Sequence, residues 1–335
     1  MAVTTTNQIE RIALVGLGSI GRRHLRLLNQ LRPDVDVILV RSGQGSRWPE
    51  EALAIGSVNT IGEALALNID AAIISSPAPY HVNQAIKLLE AGIPLLIEKP
   101  LSNNLDETNH LKTLTENTGV PVLVGYVLRY SLDLQQFHEM LLGDAVGRVV
   151  GVSVDCGSYL PDWRPGQDYR KTASARPELG GGVLLELSHE VDYANWFFGP
   201  FKSVDASVMN SGTLDIQVED TADLELISEN GVNVSIHLDF VRRQPIRQCV
   251  IRGSNGKLTW NGINNKVTLD YGSGEIKSWG FNAERDDIFR AQLKHFFDCV
   301  ENHELPKVKI TDGIAALEII EAAKLSQKES MVINL

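Results

Sequence analysis

The chain has 335 residues, 43% hydrophobic and 22% charged, with a formal net charge of −11 at pH 7. That length exceeds one small core and points to two domains, and the composition is that of a globular protein. The acidic balance argues against a nucleic-acid partner, because a phosphate backbone needs a basic surface. Met1 to Glu10 is polar and lacks an apolar signal core, and no run of about 18 apolar residues occurs anywhere, so a cytoplasmic protein with no membrane partner is expected. Cys156, Cys249 and Cys299 are widely spaced and form no Cys-x-x-Cys pair, so they read as buried free thiols, and no metal site is expected.

Along the chain, Ile12 to Val15 is a short apolar run typical of a parallel strand covered on both faces. It leads at once into Gly16-x-Gly18-Ser19-Ile20-Gly21 and then a helix pattern with Leu25, Leu27, Leu28 and Leu31. In that context Gly16 permits a tight turn, Gly18 lets the backbone approach a pyrophosphate, and Gly21 lets helix and strand pack closely. The phosphates rest on the helix N-terminus, which is the signature of a dinucleotide site. Val35 to Val40 reads as the next strand, and it runs into Arg41-Ser42 where an NAD enzyme would place a carboxylate for the ribose 2′-hydroxyl. An arginine with a hydroxyl suits a 2′-phosphate, so NADP is favoured and NAD stays open. Arg41 could instead stack on adenine in an NAD enzyme, or face solvent.

Strand patterns at 71–75, 94–97 and 120–124 alternate with helix patterns at 80–91 and 105–118, which predicts a doubly wound parallel sheet. Beyond Leu128 the pattern changes to strands at 148–155, 201–210, 221–228, 232–240, 248–253, 257–260 and 266–270. Hairpin signals at Glu229-Asn230-Gly231 and Ser254-Asn255-Gly256 make this an antiparallel sheet in an α+β domain. A helix is expected over 183–198, and two more near 286–300 and 314–326 close the chain. The domain reading is therefore 8–127, an α/β Rossmann domain, then 128–310, an α+β domain for substrate binding and oligomerisation, with 311–335 a closing helix and tail packing back towards the Rossmann domain. Alternating Val152/Val154, Val204/Val208 and Val234/Ile236 give each strand a partly apolar side, from which a homodimer or homotetramer packed through the sheet is expected.

The segment Ile97-Glu98-Lys99-Pro100-Leu101 ends a parallel strand, where open α/β sheets place their ligands. Pro100 keeps Lys99 out of helical geometry and frees its amine to hydrogen-bond an alcohol or carbonyl oxygen during hydride transfer. In isolation a solvent-facing lysine is the better reading.

Five features stand in order: the glycine cluster, Ser75-Ser76-Pro77-Ala78-Pro79-Tyr80-His81, Glu90-Ala91-Gly92 through Glu98-Lys99-Pro100-Leu101, Gly180-Gly181-Gly182 ahead of a helix bearing His189 and Asp192, and Thr311-Asp312-Gly313 before the last helix. Together they resemble the glucose-fructose oxidoreductase / inositol dehydrogenase (Gfo/Idh/MocA) family along almost the whole chain. The resemblance implies NAD(P)-dependent oxidation or reduction of a sugar-type carbinol. It implies Lys99 as the catalytic lysine, with Ser75, Ser76, Pro77, His81 and Glu98 on the cofactor side. Members of that family often carry an aspartate four residues before a histidine, whereas here Glu186 precedes His189 by three; either spacing keeps both on one helical face. His189 reads as general acid/base. Lys99 would polarise the same oxygen, and Glu186 would orient substrate or base. Asp192 is a further catalytic candidate or a hydrogen-bonding residue of the helix face. Val127 stands where the family often has asparagine, and Tyr126 beside it is a substrate-side candidate. In the polar loop 159–176, Trp163 and Tyr169 suit a sugar ring, while Arg164, Arg170, Lys171 and Arg176 suit a phosphate or carboxylate. The same loop could instead pack on a neighbouring subunit. The sequence thus points to hydride transfer on a sugar or sugar derivative, with phosphorylated, nucleotide-linked and acidic forms all open. A non-enzymatic nucleotide-binding regulator and a reductase of a non-sugar carbonyl or imine are the alternatives.

Overall fold

A computed structural model describes residues 8–43 and 45–335; most of the polar N-terminal stretch read for a signal core lies outside the described residues. The chain divides into two compact units, the first of residues 1–127 with 285–314, the second of residues 128–284 with 315–335.

The first unit is built on a six-stranded, wholly parallel sheet in the order β3-β2-β1-β4-β5-β6. Its elements are β1 (Arg11–Val15), α1 (Ser19–Leu31), β2 (Asp36–Val40), β3 (Gly56–Val58), α2 (Ile61–Leu65), β4 (Ala71–Ile74), α3 (His81–Glu90), β5 (Leu95–Ile97), α4 (Thr108–Thr118) and β6 (Val122–Val124). The strands β4, β5 and β6 are buried at every residue, which is why their sequences read as unbroken apolar runs rather than alternating ones. The register has a consequence for chemistry. Val15 lies opposite Val40 and Ile74, Ile74 opposite Ile97, and Ile97 opposite Val124, so five strands finish level.

The second unit opens with α5 (Leu132–Leu142) and β7 (Val149–Gly157), followed by α6 (Val183–Glu186) and α7 (Ser188–Phe198). Seven strands follow: β8 (Phe201–Met209), β9 (Thr221–Ser228), β10 (Asn233–Asp239), β11 (Ile246–Gly253), β12 (Gly256–Asn261), β13 (Lys266–Asp270) and β14 (Ile276–Gly280). With β7 and the short C-terminal β15 (Ile333–Asn334) they form a nine-stranded sheet, β14-β13-β12-β11-β7-β10-β9-β8-β15, antiparallel except where β7 and β10 run parallel. In β9 burial alternates residue by residue, the mark of a sheet with one packed and one open face.

Three readings from the sequence change here. The helix α8 (Asp287–Glu301) belongs to the first unit, not the second, because Phe289, Leu293, Phe296 and Val300 share one apolar core with Leu25 and Leu28 of α1. The unit boundary falls inside the closing helix α9 (Ile310–Glu329). The tail beyond it stays with the second unit, where β15 (Ile333–Asn334) pairs with β8. Finally, the open face of the sheet is not apolar. Val152, Val154, Val204, Val234 and Ile236 are buried inside the unit, and the alternate positions Ser153, Asp155, Ser235 and His237 lie on the half-exposed side.

Candidate active site

The level strand ends place the residues that follow them in one row. Gly16, Ser75, Glu98 and Gly125 each donate a backbone N–H to the last carbonyl of the neighbouring strand, at 3.0, 2.8, 2.9 and 2.7 Å, and Arg41 does the same to Val58 at 2.9 Å. Sequence candidates drawn from five separate stretches therefore share one carboxyl edge, where ligands of open α/β sheets bind. Tyr126 follows Gly125 directly and is fully buried.

At the glycine turn, Gly16 has φ +88°, and a Cβ there would lie 2.7 Å from the Ser76 backbone nitrogen. A Cβ on Gly21 would lie 2.4 Å from the Gly16 carbonyl oxygen. Gly18 differs, since a Cβ there would meet nothing within 4 Å. It precedes α1, whose first turn has no side-chain cap and no acidic residue. The uncapped amides of a 13-residue helix and an unobstructed approach over Gly18 fit a pyrophosphate. A bound nicotinamide dinucleotide would supply or accept the hydride. The Ser75 hydroxyl donates to the Val15 and Gly16 carbonyls, 3.0 and 2.9 Å away, and so braces the turn; Ser76 donates to Gln84 at 2.7 Å. Pro77 then starts the turn leading to His81 at the head of α3.

Behind Lys99 lies a buried pair that sequence reading missed. Glu98 is 5% exposed, and its Oε1 sits 2.6 Å from Nε2 of His24, which has no exposure at all. Its Oε2 accepts the Lys99 backbone N–H at 3.2 Å. Gly125 makes room for this carboxylate, since a Cβ there would lie 2.9 Å from Oε2. His24 shares the buried face of α1 with Gly21, Leu25 and Leu28, a helical spacing that gave its only signal. His81, also buried, joins two strand ends, with Nε2 2.7 Å from the Ser76 carbonyl and Nδ1 3.0 Å from that of Pro100. Burial pushes its pKa down, while the two carbonyls and Glu98 push it up.

In the second unit the expected single helix breaks at Leu187 (φ −97°, ψ 26°), so Glu186 ends α6 and His189 sits on α7. Both are half-buried, but the helical-face argument from their spacing fails at the break. Glu186 accepts the Ser174 hydroxyl at 3.0 Å. Asp192 is 1% exposed and holds the guanidinium of Arg129 through two bonds of 3.0 and 2.7 Å. Glu190, fully buried, is 2.8 Å from Arg247. Glu219, unmarked in the sequence reading, lies against Gly182 and 3.4 Å from the Leu184 amide, and burial raises its pKa. Within the polar loop, Trp163 donates to Ser158 at 2.8 Å and packs edge-on against Phe240, so its ring is an anchor. The Tyr169 hydroxyl accepts the Asp215 amide. Arg170 is paired with Asp168 and Asp215, and Arg176 with Glu178. Among the described residues Arg164 and Lys171 carry no ion pair.

On the open sheet face Asp155, His237 and Asp239 bring ligand-type atoms within 4.8 Å. Arg242 fills that cluster, 3.1 Å from Asp155 and 2.9 Å from Asp239, so the charges are met by a guanidinium. Cys156, Cys249 and Cys299 are buried and free, and burial pushes the Cys156 and Cys299 thiols up to about 12. Among the described residues no helix is long and apolar enough to cross a membrane.

A parallel sheet with a glycine-turn anion cradle and a lysine at its carboxyl edge defines a dinucleotide-dependent oxidoreductase. Comparison with known proteins agrees. Residues 10–126 match the model of the oxidoreductase family with an NAD-binding Rossmann fold, and residues 134–259 match the GFO/IDH/MocA C-terminal domain. The chain is 22% identical to 1,5-anhydro-D-fructose reductase of Ensifer adhaerens over 95% of its length and 98% of the relative's. It is 24% identical to scyllo-inositol 2-dehydrogenase (NAD(+)) of Bacillus subtilis, over 97% and 96% of the two chains. The crystal structure of the WlbA dehydrogenase from Bordetella pertussis, in complex with NADH and UDP-GlcNAcA, superposes with a TM-score of 0.81 at 23% identity, covering 98% and 99%. The chain belongs to the Gfo/Idh/MocA family, and it is an NAD(P)-dependent oxidoreductase.

Proposed function

We propose that this enzyme moves a hydride between a nicotinamide and a carbinol or carbonyl carbon of an anionic sugar derivative. The observation that carries the reading is the position of Lys99, one residue beyond the row formed by Gly16, Ser75 and Glu98, with its backbone N–H held by the buried Glu98 carboxylate. In the proposed reaction the Lys99 amine hydrogen-bonds the reacting oxygen and offsets charge as the hydride moves. His189 exchanges the hydroxyl proton. Glu186 keeps a place as an orienting residue, and Asp192 acts by fixing Arg129 rather than by touching substrate. The anionic preference rests on Arg164 and Lys171, the two cations of loop 159–176 without an ion pair among the described residues. A solved relative holding UDP-GlcNAcA supports the same chemistry.

For the cofactor the proposal is NAD(H). Sequence reading favoured NADP from Arg41, but that guanidinium is 2.6 Å from the Glu51 carboxylate and donates to the Ser46 carbonyl at 2.6 Å. NADH in the solved relative accords with this. We further propose a homo-oligomer packed through the open, polar sheet face, and a cytoplasmic setting, which suits three free buried thiols.

A screen of sugar acids and nucleotide sugars, read by absorbance of the reduced nicotinamide, tests the substrate. In the active pair Lys99→Ala and His189→Ala should each lower kcat by about 10²-fold or more while NADH binding persists. Near-normal turnover in the Lys99 variant would overturn the mechanism.

A further inference from the structure

The connection between β2 and β3 folds back on Arg41, the residue that follows the second strand. In this fold the ribose 2′ position lies beside the residue that follows the second strand, here Arg41. Two features fix Arg41. Its amide is bonded to Val58, and its side chain, 13% exposed, is gripped by Glu51 and the Ser46 carbonyl. Glu51 is set by its own surroundings. It stands in the 3-10 turn Pro49–Leu53, where its Oε1 also accepts the Trp48 amide at 2.8 Å. The preceding residue, Trp48, carries the Arg22 guanidinium of α1 stacked 3.8 Å over its ring, and Glu50 pairs with Arg22 and Arg26 at 3.5 and 3.0 Å. The turn is thus clamped to α1 on one side and to Arg41 on the other.

We infer that Glu51 is a specificity-determining residue, an internal carboxylate that occupies Arg41 in place of a cofactor 2′-phosphate and so discriminates against NADP. A 2′-phosphate reaching Arg41 has to displace Glu51 or share the guanidinium with it, two like charges against one cation. An unmodified 2′-hydroxyl meets no such conflict. Hydrogen bonding from the Trp48 amide, together with the positive charge of Arg41, holds the Glu51 carboxyl below the usual carboxylate range, so the competing anion persists through neutral pH. The arginine that reads as a 2′-phosphate ligand in sequence is therefore already satisfied, and selectivity is carried by its acidic partner ten residues on.

The inference rests on the NAD(H) reading above, and a binding experiment separates the two. NADH and NADPH are titrated against the full chain and followed by nicotinamide fluorescence, with no substrate present. Tighter NADPH than NADH binding by the wild type would refute the NAD(H) reading by itself. Glu51→Gln tests the role of Glu51; the amide oxygen keeps the Trp48 bond and only the charge is lost. NADPH affinity should rise about tenfold or more, with NADH within about twofold. In the double variant Arg41→Ala/Glu51→Gln the NADPH gain should vanish. Unchanged NADPH affinity in Glu51→Gln with NADH binding retained, or a gain that survives loss of Arg41, would overturn the inference.

Discussion

Removing the Asp192 carboxylate should destabilise the second unit more than any change of comparable size on its surface. Arg129 is 5% exposed and Asp192 1%, and the two side chains are joined by bonds of 3.0 and 2.7 Å. Arg129 also lies 5.2 Å from the centre of the Trp196 ring. Asp192→Ala leaves a buried guanidinium without its bidentate acceptor, and breaking such a pair from one side costs about 3–5 kcal/mol. For a folding unit of 150–250 residues each kcal/mol moves the midpoint by about 2–4 °C, so a fall on the order of 10 °C is expected. Of the five tryptophans, Trp163, Trp196, Trp260 and Trp279 belong to the second unit, so a thermal melt followed by tryptophan fluorescence reports chiefly on it. Replacing both partners with apolar residues, Arg129→Met/Asp192→Leu, should recover most of the loss, because the uncompensated charge is gone. A midpoint within about 2 °C of wild type for Asp192→Ala would refute the assignment of Asp192 as an anchor. Loss of turnover without loss of stability would return it to the catalytic set.

Two further outcomes bear on the open face of the large sheet. Bonds to Asp239 and Asp223 raise the His237 pKa to about 9, so its stabilisation is fully present below the ordinary value near 6.5 and lost as pH rises through about 9. With Asp155 also within 4.8 Å, itself paired with Arg242, and the His237 side chain 34% exposed, solvent screening limits the effect to on the order of 1 kcal/mol. Urea unfolding at pH 6 and pH 10 should show that loss in wild type but not in His237→Leu. Light scattering at micromolar concentration should give a dimer or tetramer mass, and a lone monomer mass would refute the packing proposed through this face.

The parallel sheet was legible because each inner strand is buried on both faces and cannot tolerate a polar residue, so Ala71 to Ile74 and Leu95 to Ile97 announce themselves. By contrast β14 was missed. Its residues are nearly all exposed at the sheet edge, and an edge strand paired on one side imposes no apolar pattern. The helix α5 was also missed, for Leu132 and Leu142 at its ends are 62% and 73% exposed and blur its stripe. In the site, residues fixed by backbone geometry could be read, as with Gly16 and Gly21. Residues defined by their partners could not. Glu51 and His24 acquire meaning only when folding brings them to Arg41 and Glu98, and the break at Leu187 separates Glu186 from His189 where spacing alone joined them. The apolar alternation in the second unit was real, but it serves the unit's own interior.

The level ending of five strands also bears on how such an enzyme can diversify. Each amide–carbonyl bond that sets the row lies at the start of its connecting segment, so the segment beyond it can change in length or content without moving its neighbours along the edge. Residues 42–55 form such a cassette between Arg41 and β3, while Lys99 hangs from a different strand with its own tether to Glu98. The surroundings of Arg41 and those of Lys99 are thereby mounted on separate teeth of one comb. Rewriting a single inter-strand stretch can alter the surroundings of Arg41 while leaving Lys99 where it was.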